Sequence, residues 1–449
     1  MGRDGAAYGS ILDQRSYKEE DIIRRDVAVI GGGASGTYGA ITLGDMGKSV
    51  VLVEREKRLG GHENTYTDPV TGTHIDYGVQ TYANISVSRD FFARFNIPVT
   101  NFTFPAGTTV YADFKSGHVL PRFSPGINFA PYVQQLTKYP DLAWSWNIST
   151  PVPKDLLLPF GDFVKKYHLE DLAFSVFSNP QGAANPPFLE QLTVNVLKIT
   201  DESYLQGLQE GGDLVTANHD NGALYAAAQE ELGSNALLSS TVIAAHRPSD
   251  DSCVSLVVKT PHGWKLVVAS QLLVSIPLTI PNMAPFDLDN DERALFEKFH
   301  YSGYYTGIFK NTGLSKGTRY VNIDLDTEYH IPNLPGAYDI TPTAVEGIFY
   351  YWFGSPKELS QKEIEAEMIA TVRRLTNSSD EVPEFVAFAS HSPFKLEVSA
   401  EDIQDRFYDK LFALQGKRKT WYTGAAVESH NSGELWNFTN ALLHRMVDA

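Results

Sequence analysis

The chain has 449 residues, 43% hydrophobic and 20% charged, with 54 acidic and 37 basic side chains and a formal net charge of −17. That length allows two or three domains, each with a buried core. The acidic surplus argues against nucleic acid as a partner, because phosphate binding needs a basic footprint, and against an anionic membrane surface.

Residues 1–25 are polar and charged, with no signal-peptide pattern, and read as an N-terminal extension. No apolar run reaches the ~18 residues of a membrane span. The expectation is a soluble protein, cytoplasmic by default, with a secretory route open if the start is processed. The N-x-S/T sequons at Asn84, Asn101, Asn147, Asn377 and Asn437 do not decide the compartment.

The first element is DVAVI (Asp26–Ile30), a β-branched run suited to a strand buried on both faces. GGGASG follows, then a helical spacing of Tyr38, Ile41 and Met46 that stops at Gly47. KSVVLVE then predicts a second buried strand ending in Glu54. This β–turn–α–β context makes the glycine pattern a dinucleotide site. Gly31 permits the tight turn, Gly33 lets the backbone approach a pyrophosphate, and Gly36 lets helix and strand pack closely. The helix start at Ala34 and Ser35 offers amides and a positive dipole end to the phosphates. Glu54 suits ribose hydroxyls and would repel a 2′-phosphate, which disfavours NADP.

Next comes Arg55, then the turn Arg58-Leu59-Gly60-Gly61, then His62 and Asp76-Tyr77-Gly78-Val79. In GGGASGTYGAI…RLGGHENTYTDPVTGTHIDYGV the chain resembles the flavin-containing amine oxidase superfamily, and most of all its fungal β-cyclopiazonate dehydrogenase branch. LLLPFGDFVKKY…NPQGAA…LTVNVLKI is similar to the bacterial polyenoic fatty acid isomerase. The resemblance implies FAD as the cofactor. It places Arg55, Arg58, Gly60, Gly61, His62, Tyr77, Gly78 and Val79 around it, and Val242, in ALLSSTVIAAHR, over the adenine. For His62 two roles stand open, a phosphate-side hydrogen bond and a covalent bond to the flavin.

The fold expected is α/β: a Rossmann-type FAD-binding domain of two-dinucleotide-binding-domain flavoproteins, with an inserted mixed-sheet and helical substrate domain. FAD-domain segments are 26–90, 211–290 and 396–449, and the substrate domain is 91–210 with 291–395. The single cysteine, Cys253, excludes an internal disulfide and reads as a small core residue of a strand. Helix SQKEIEAEMIATVRRLT opens on a Ser360…Glu363 capping box. Its Ile364, Met368, Val372 and Leu375 form a core stripe.

At the end, KTWYTGAAVESHNSGELW predicts a strand over Thr420–Thr423, a turn at Gly424 and a helix from about Ser432. In the superfamily such a helix points its N-terminus at the flavin, here through the amides of Glu434 and Leu435. Ala425 and Ala426 stand where the superfamily has a glutamate, and Tyr304-Tyr305-Thr306-Gly307 lacks the lysine that oxidase members keep near flavin N5. Both departures weaken simple amine oxidation. Glu434, Tyr304 and Gln80 are the catalytic candidates, with Glu434 expected to have a raised pKa. No HExxH or Cys/His spacing exists, so no metal is expected. The activity expected is hydride removal from a hydrophobic small molecule: an oxidation, desaturation or oxidative cyclisation in secondary metabolism. The alternative is a redox-neutral double-bond isomerase acting on an unsaturated fatty acid or polyene.

Overall fold

The computed structural model of the chain describes residues 11–103, 107–178, 187–201, 204–205, 212–250, 252–380 and 382–448. The NPQGAA stretch (179–184) and Gly211 lie outside the described residues.

Two seven-stranded sheets organise the described residues, with two small pairs beside them, β3 (Thr65–Thr67) on β4 (His74–Asp76) and β5 (Val99–Asn101) on β7 (Leu214–Thr216). The first runs β8 (Ala236–Leu237), β2 (Val50–Val53), β1 (Ile22–Ile30), β11 (Gly263–Val274), β10 (Val254–Thr260), β9 (Thr241–His246). β18 (Thr420–Tyr422) adds alongside the end of β11. β8, β2, β1, β11 and β18 pair in parallel, and β9 and β10 form an antiparallel meander. The parallel strands are covered on both faces, so Val27–Ile30 and Val50–Val53 are buried at every position and show no alternation. β1 starts at Ile22, not Asp26, because β11 is long enough to pair with Ile22–Arg25. Ile11, Leu12, Tyr17 and Ile22 pack against Ala244, Val257 and Leu266, so part of the expected extension joins the sheet.

Helix α1 (Ala34–Asp45) lies on this sheet, and the C-terminal helix, Ser432–Val447, packs beside it. The two are tied by Trp436, whose indole N–H donates to the Ala34 carbonyl at 3.1 Å.

The second sheet runs β16 (Glu384–Ser390), β12 (His300–Lys310), β15 (Ile348–Ser355), β14 (Gly336–Pro342), β13 (Thr318–Ile323), β6 (Thr108–Asp113), with β17 (Phe394–Glu397) on β12. One face carries Tyr305, Phe309, Tyr351 and Phe353 against the helix Gln361–Thr376. Its Ile364, Met368 and Val372 are wholly buried, and the Ser360–Glu363 capping box is formed. Tyr304, Tyr338 and Trp352 join the opposite core, with the short helices Phe160–Tyr167, Glu170–Phe177 and Thr193–Leu197.

Cys253 is exposed, one residue before β10, and so is not the core residue expected. A free thiol there stays in water because burial starts only with Val254. No described helix is long and apolar enough to cross a membrane.

Candidate cofactor-binding and active site

The turn between β1 and α1 is held by its own backbone. The Gly31 amide donates to Val53 O at 2.9 Å, and Ser275 Oγ donates to the carbonyls of Ile30 and Gly31 at 2.9 and 3.1 Å. A Cβ on Gly36 would lie 1.9 Å from Gly31 O, so helix and strand meet only through glycine. No side chain caps α1, which leaves its first-turn amides to another acceptor. Ser35 Oγ is buried there without a hydrogen-bond partner. Gly60 and Gly61 close the opposite wall: the Gly60 amide donates to Gly32 O at 2.8 Å. A Cβ on Gly61 would come within 2.9 Å of Gly33 Cα. An uncapped helix start, an orphaned hydroxyl and two glycine walls suit a diphosphate.

Glu54 follows β2 beside this turn and is buried. Its Oε2 accepts from the Gly32 amide at 2.5 Å and its Oε1 from Glu56 N at 2.7 Å. A carboxylate has about four acceptor sites, so room remains for ribose hydroxyls. The chain on its outer side is β8 and the following turn, with Glu54 N donating to Leu237 O and Ser240 N to Glu54 O. Val242 stands at the start of β9, only two residues after Ser240, so it too lies close to this acid, and it is buried. Leu237 borders Glu54 from β8, a contact made by the non-local pairing of β8 with β2 that local pattern could not reveal.

Arg55 is exposed beside Glu56, and its charge bears on His62. The Arg58 guanidinium is spent on the loop itself, donating to the carbonyls of Leu59 and Glu63 and to Asn64 Oδ1 at 2.8, 2.5 and 2.5 Å. The Tyr77 and Val79 amides return to Asn64 O and His62 O at 2.8 and 3.3 Å. Gly78 lies so close that a Cβ would be 2.1 Å from His62 O. Gln80 spends its amide on Asp76 O at 3.0 Å, which makes it a brace of the loop.

Beneath this loop Thr65 Oγ1 bonds both Glu63 Oε1, at 3.0 Å, and Asp76 Oδ1, and accepts from Gly222 N at 3.1 Å. The two buried carboxyls thus crowd one hydroxyl, and the charge of Glu63 bears on Asp76. Burial accordingly lifts Glu63 to about 7 and Asp76 to about 8. Both folded values exceed the unfolded ones, so the folded state holds protons that the unfolded state releases. The stability this confers is complete below the unfolded carboxyl range and is lost as pH rises through 7 to 8. Thermal melts should therefore fall by several degrees from about pH 6 to about pH 9. Asp76→Asn keeps an acceptor for Thr65 and Asn221 N but cannot ionise, and should remove at least half of that fall.

Farther along, five rings meet where the 60–62 loop, the second sheet and the segment before the C-terminal helix converge. His62 stacks on His391 (4.4 Å, 15°) and is parallel to His430 (6.4 Å, 1°). Phe394 lies 3.9 Å from His430 and 4.6 Å from Tyr304. Burial holds His62 down to about 4 and pushes His391 and His430 well below the usual imidazole range, so all three are neutral at pH 7. Tyr304 OH bonds Tyr338 OH at 2.9 Å, and burial raises its pKa. Tyr305 turns to the other sheet face. His391, Phe394 and His430 were not singled out from the sequence: register and loop closure, not spacing, gather them. No group of three His, Cys, Asp or Glu among the described residues is arranged to hold a metal.

The C-terminal turn is tight. Gly424 (φ +97°) runs so near β11 that a Cβ would lie 3.0 Å from Ser275 O, with Ala425 and Ala426 following. Asn431 caps the helix through Gly433 N at 3.0 Å. The Leu435 amide donates to Asn431 O at 2.9 Å and is consumed by the helix. Of the two amides expected to face the cofactor, only that of Glu434, in the first turn, remains for it. The Glu434 carboxyl is 3% exposed, accepts from Ser429 Oγ at 2.6 Å, and is pushed well up by burial and by Asp201.

A family described as NAD(P)-binding Rossmann-like domain matches residues 29–95. The FAD-dependent oxidoreductase dbaF of Emericella nidulans is 42% identical over 440 residues, covering 97% of this chain and 93% of that protein. The beta-cyclopiazonate dehydrogenase of Aspergillus oryzae is 35% identical over 459 residues, covering 100% of this chain and 98% of that one. Among solved structures, the CLA-producing fatty acid isomerase from P. acnes superposes with a TM-score of 0.72 at 18% identity, over 94% of this chain and 98% of the other. That likeness is one of fold.

Proposed function

The chain belongs to the FAD-dependent oxidoreductases related to beta-cyclopiazonate dehydrogenase, and on that premise we propose that it removes hydride from a hydrophobic small molecule of secondary metabolism, in an oxidation, desaturation or oxidative ring closure. FAD, when bound, supplies the two-electron acceptor. Gly31, Gly33, Ala34, Ser35 and Gly36 hold its diphosphate against Gly60 and Gly61, and Glu54 its ribose. His62, Tyr77, Gly78, Val79, Gly424, Ala425 and the Glu434 amide line the remainder.

The observation that carries the reading is the aromatic wall of His62, His391, Tyr304, Phe394 and His430 between the FAD-side loops and the second sheet. Flat, uncharged surfaces exclude water and favour an apolar donor. Tyr304 orients the substrate through its ring. Glu434, buried beside Ser429 with its pKa pushed up, would in its carboxylate form accept the proton the substrate loses alongside the hydride.

Anaerobic mixing with lipophilic indoles, polyenes and phenols tests this. Lasting loss of the visible flavin band with a substrate is the expected outcome. Product formed without lasting bleaching would replace the proposal with redox-neutral isomerisation.

A further inference from the structure

On the second sheet, the face of Tyr304 carries two buried polar atoms that no described residue satisfies, His391 Nε2 and Thr306 Oγ1. They share that face by register. His391 follows the Tyr305–Ser390 pair and its amide donates to Tyr304 O at 2.8 Å, so it stands opposite Tyr304. Thr306 lies two residues along β12, opposite Trp352. Directly opposed and i+2 residues point to one side of a sheet, and the diagonal between the two positions is ~7–8 Å. His391 is 4% and Thr306 1% exposed, so bulk water serves neither. A buried donor or acceptor left unmade costs about 1–3 kcal/mol. Two on one face, beside the stacked ring of His62, mark a place where a ligand's polar groups belong.

The charges around that place choose the ligand. The groups bearing on His391 are His62, His430 and Arg58, and Lys395 bears on His430. Each is neutral or cationic. Lys395 is itself buried, beside Glu397, and its amide donates to His430 Nε2 at 3.1 Å. An ammonium arriving at His391 would thus meet the Arg58 charge and no carboxylate among the groups bearing on that ring.

Resting on the oxidoreductase reading above, we propose that His391 Nε2 and Thr306 Oγ1 recognise a neutral oxygen group, a hydroxyl or carbonyl, on an otherwise hydrophobic substrate, and that the same pocket rejects amines. His391 and Thr306 are then specificity-determining residues: they fix the oxygen, and the flat apolar remainder lies against Tyr304 and Trp352.

The test is calorimetric titration of the holoenzyme at pH 7 with 2-naphthol, naphthalene and 2-naphthylmethylamine, three probes of like shape. 2-Naphthol should bind roughly tenfold tighter than naphthalene, a difference of about 1.4 kcal/mol, and the ammonium no tighter than naphthalene. His391→Phe and Thr306→Val, which preserve ring and shape, should each erase most of the naphthol preference while leaving naphthalene binding in place. His391→Asn should retain part of it. The assignment is overturned if the amine binds best, if naphthol and naphthalene bind alike, if no probe binds, or if the preference survives both variants. Calorimetry does not depend on turnover. An enzyme that shows the preference yet oxidises no substrate defeats the oxidoreductase proposal alone.

Discussion

Gly36→Ala is expected to yield protein that purifies with little FAD and melts well below the wild type. The added Cβ would sit 1.9 Å from Gly31 O, 2.5 Å from Ser275 Oγ and 3.0 Å from Gly31 C. Ser275 Oγ could rotate, at the loss of its bonds to Ile30 and Gly31. Gly31 cannot, because its amide is fixed on β2 at Val53 O and its φ of +98° allows few alternatives. The helix must instead withdraw from the strand. That breaks the bond of Thr37 Oγ1 to Gly32 O at 2.8 Å and moves the first-turn amides that face the diphosphate. Overpacking of this kind costs ~1–3 kcal/mol or more, and 3 kcal/mol corresponds to roughly 100-fold weaker cofactor binding. Gly44→Ala, on the same helix with nothing within 4 Å of the new methyl, is the control. It should be neutral or stabilising by up to ~1 kcal/mol. Flavin-to-protein absorbance ratio, FAD affinity and melting temperature check both. A Gly36→Ala protein with full flavin content and an unchanged melt would mean that the turn is not where the cofactor is held.

The turn was legible because its logic is local. A glycine run between two β-branched stretches, with an acid closing the second, states the strand, the turn, the helix and the binding chemistry within 29 residues, from Asp26 to Glu54. The capping box at Ser360 and Glu363 was legible for the same reason. Reading failed wherever position depended on distant partners. Leu237, which the sequence did not single out, borders Glu54 only through the pairing of β8 with β2. Cys253 sits in a strand-like string but misses the strand by one residue. The Leu435 amide faces the right way along the chain but is taken by Asn431 O. His391 and Thr306 come together only through the pairing of β12 with β16, which no spacing in the sequence encodes.

Lys198→Met should be the most damaging single change away from the glycine turn. Lys198 and Glu428 form an ion pair whose side chains are 2% and 0% exposed. Lys198 Nζ also donates to Ala143 O at 3.1 Å, and the Glu428 carbonyl accepts the Trp146 indole at 3.0 Å. Asp201 adds to the rise of both Glu428 and Glu434, Glu428 adds to that of Glu434, and Lys198 opposes the rise for both. Removing it leaves three carboxyl groups without that cation. Breaking a buried pair from one side costs about 3–5 kcal/mol, and the damage should reach the flavin, because Ser429 and Glu434 directly follow Glu428 into the C-terminal helix. The pH dependence has a definite sign. Burial raises the carboxyl pKa values of Glu428 and Glu434 above their unfolded values, so protonation favours the folded state and the defect should shrink as pH is lowered from about 8 towards about 5. Lys198→Met combined with Glu428→Leu removes the stranded charge and should recover most of the melting temperature lost by the single variant, since replacing a whole buried pair by apolar groups is often neutral. Melts of the single and double variants across that pH range, with flavin content read alongside, decide the matter. A single variant as stable as the wild type at pH 8, or a double variant no better than the single, would show that the pair carries no such burden.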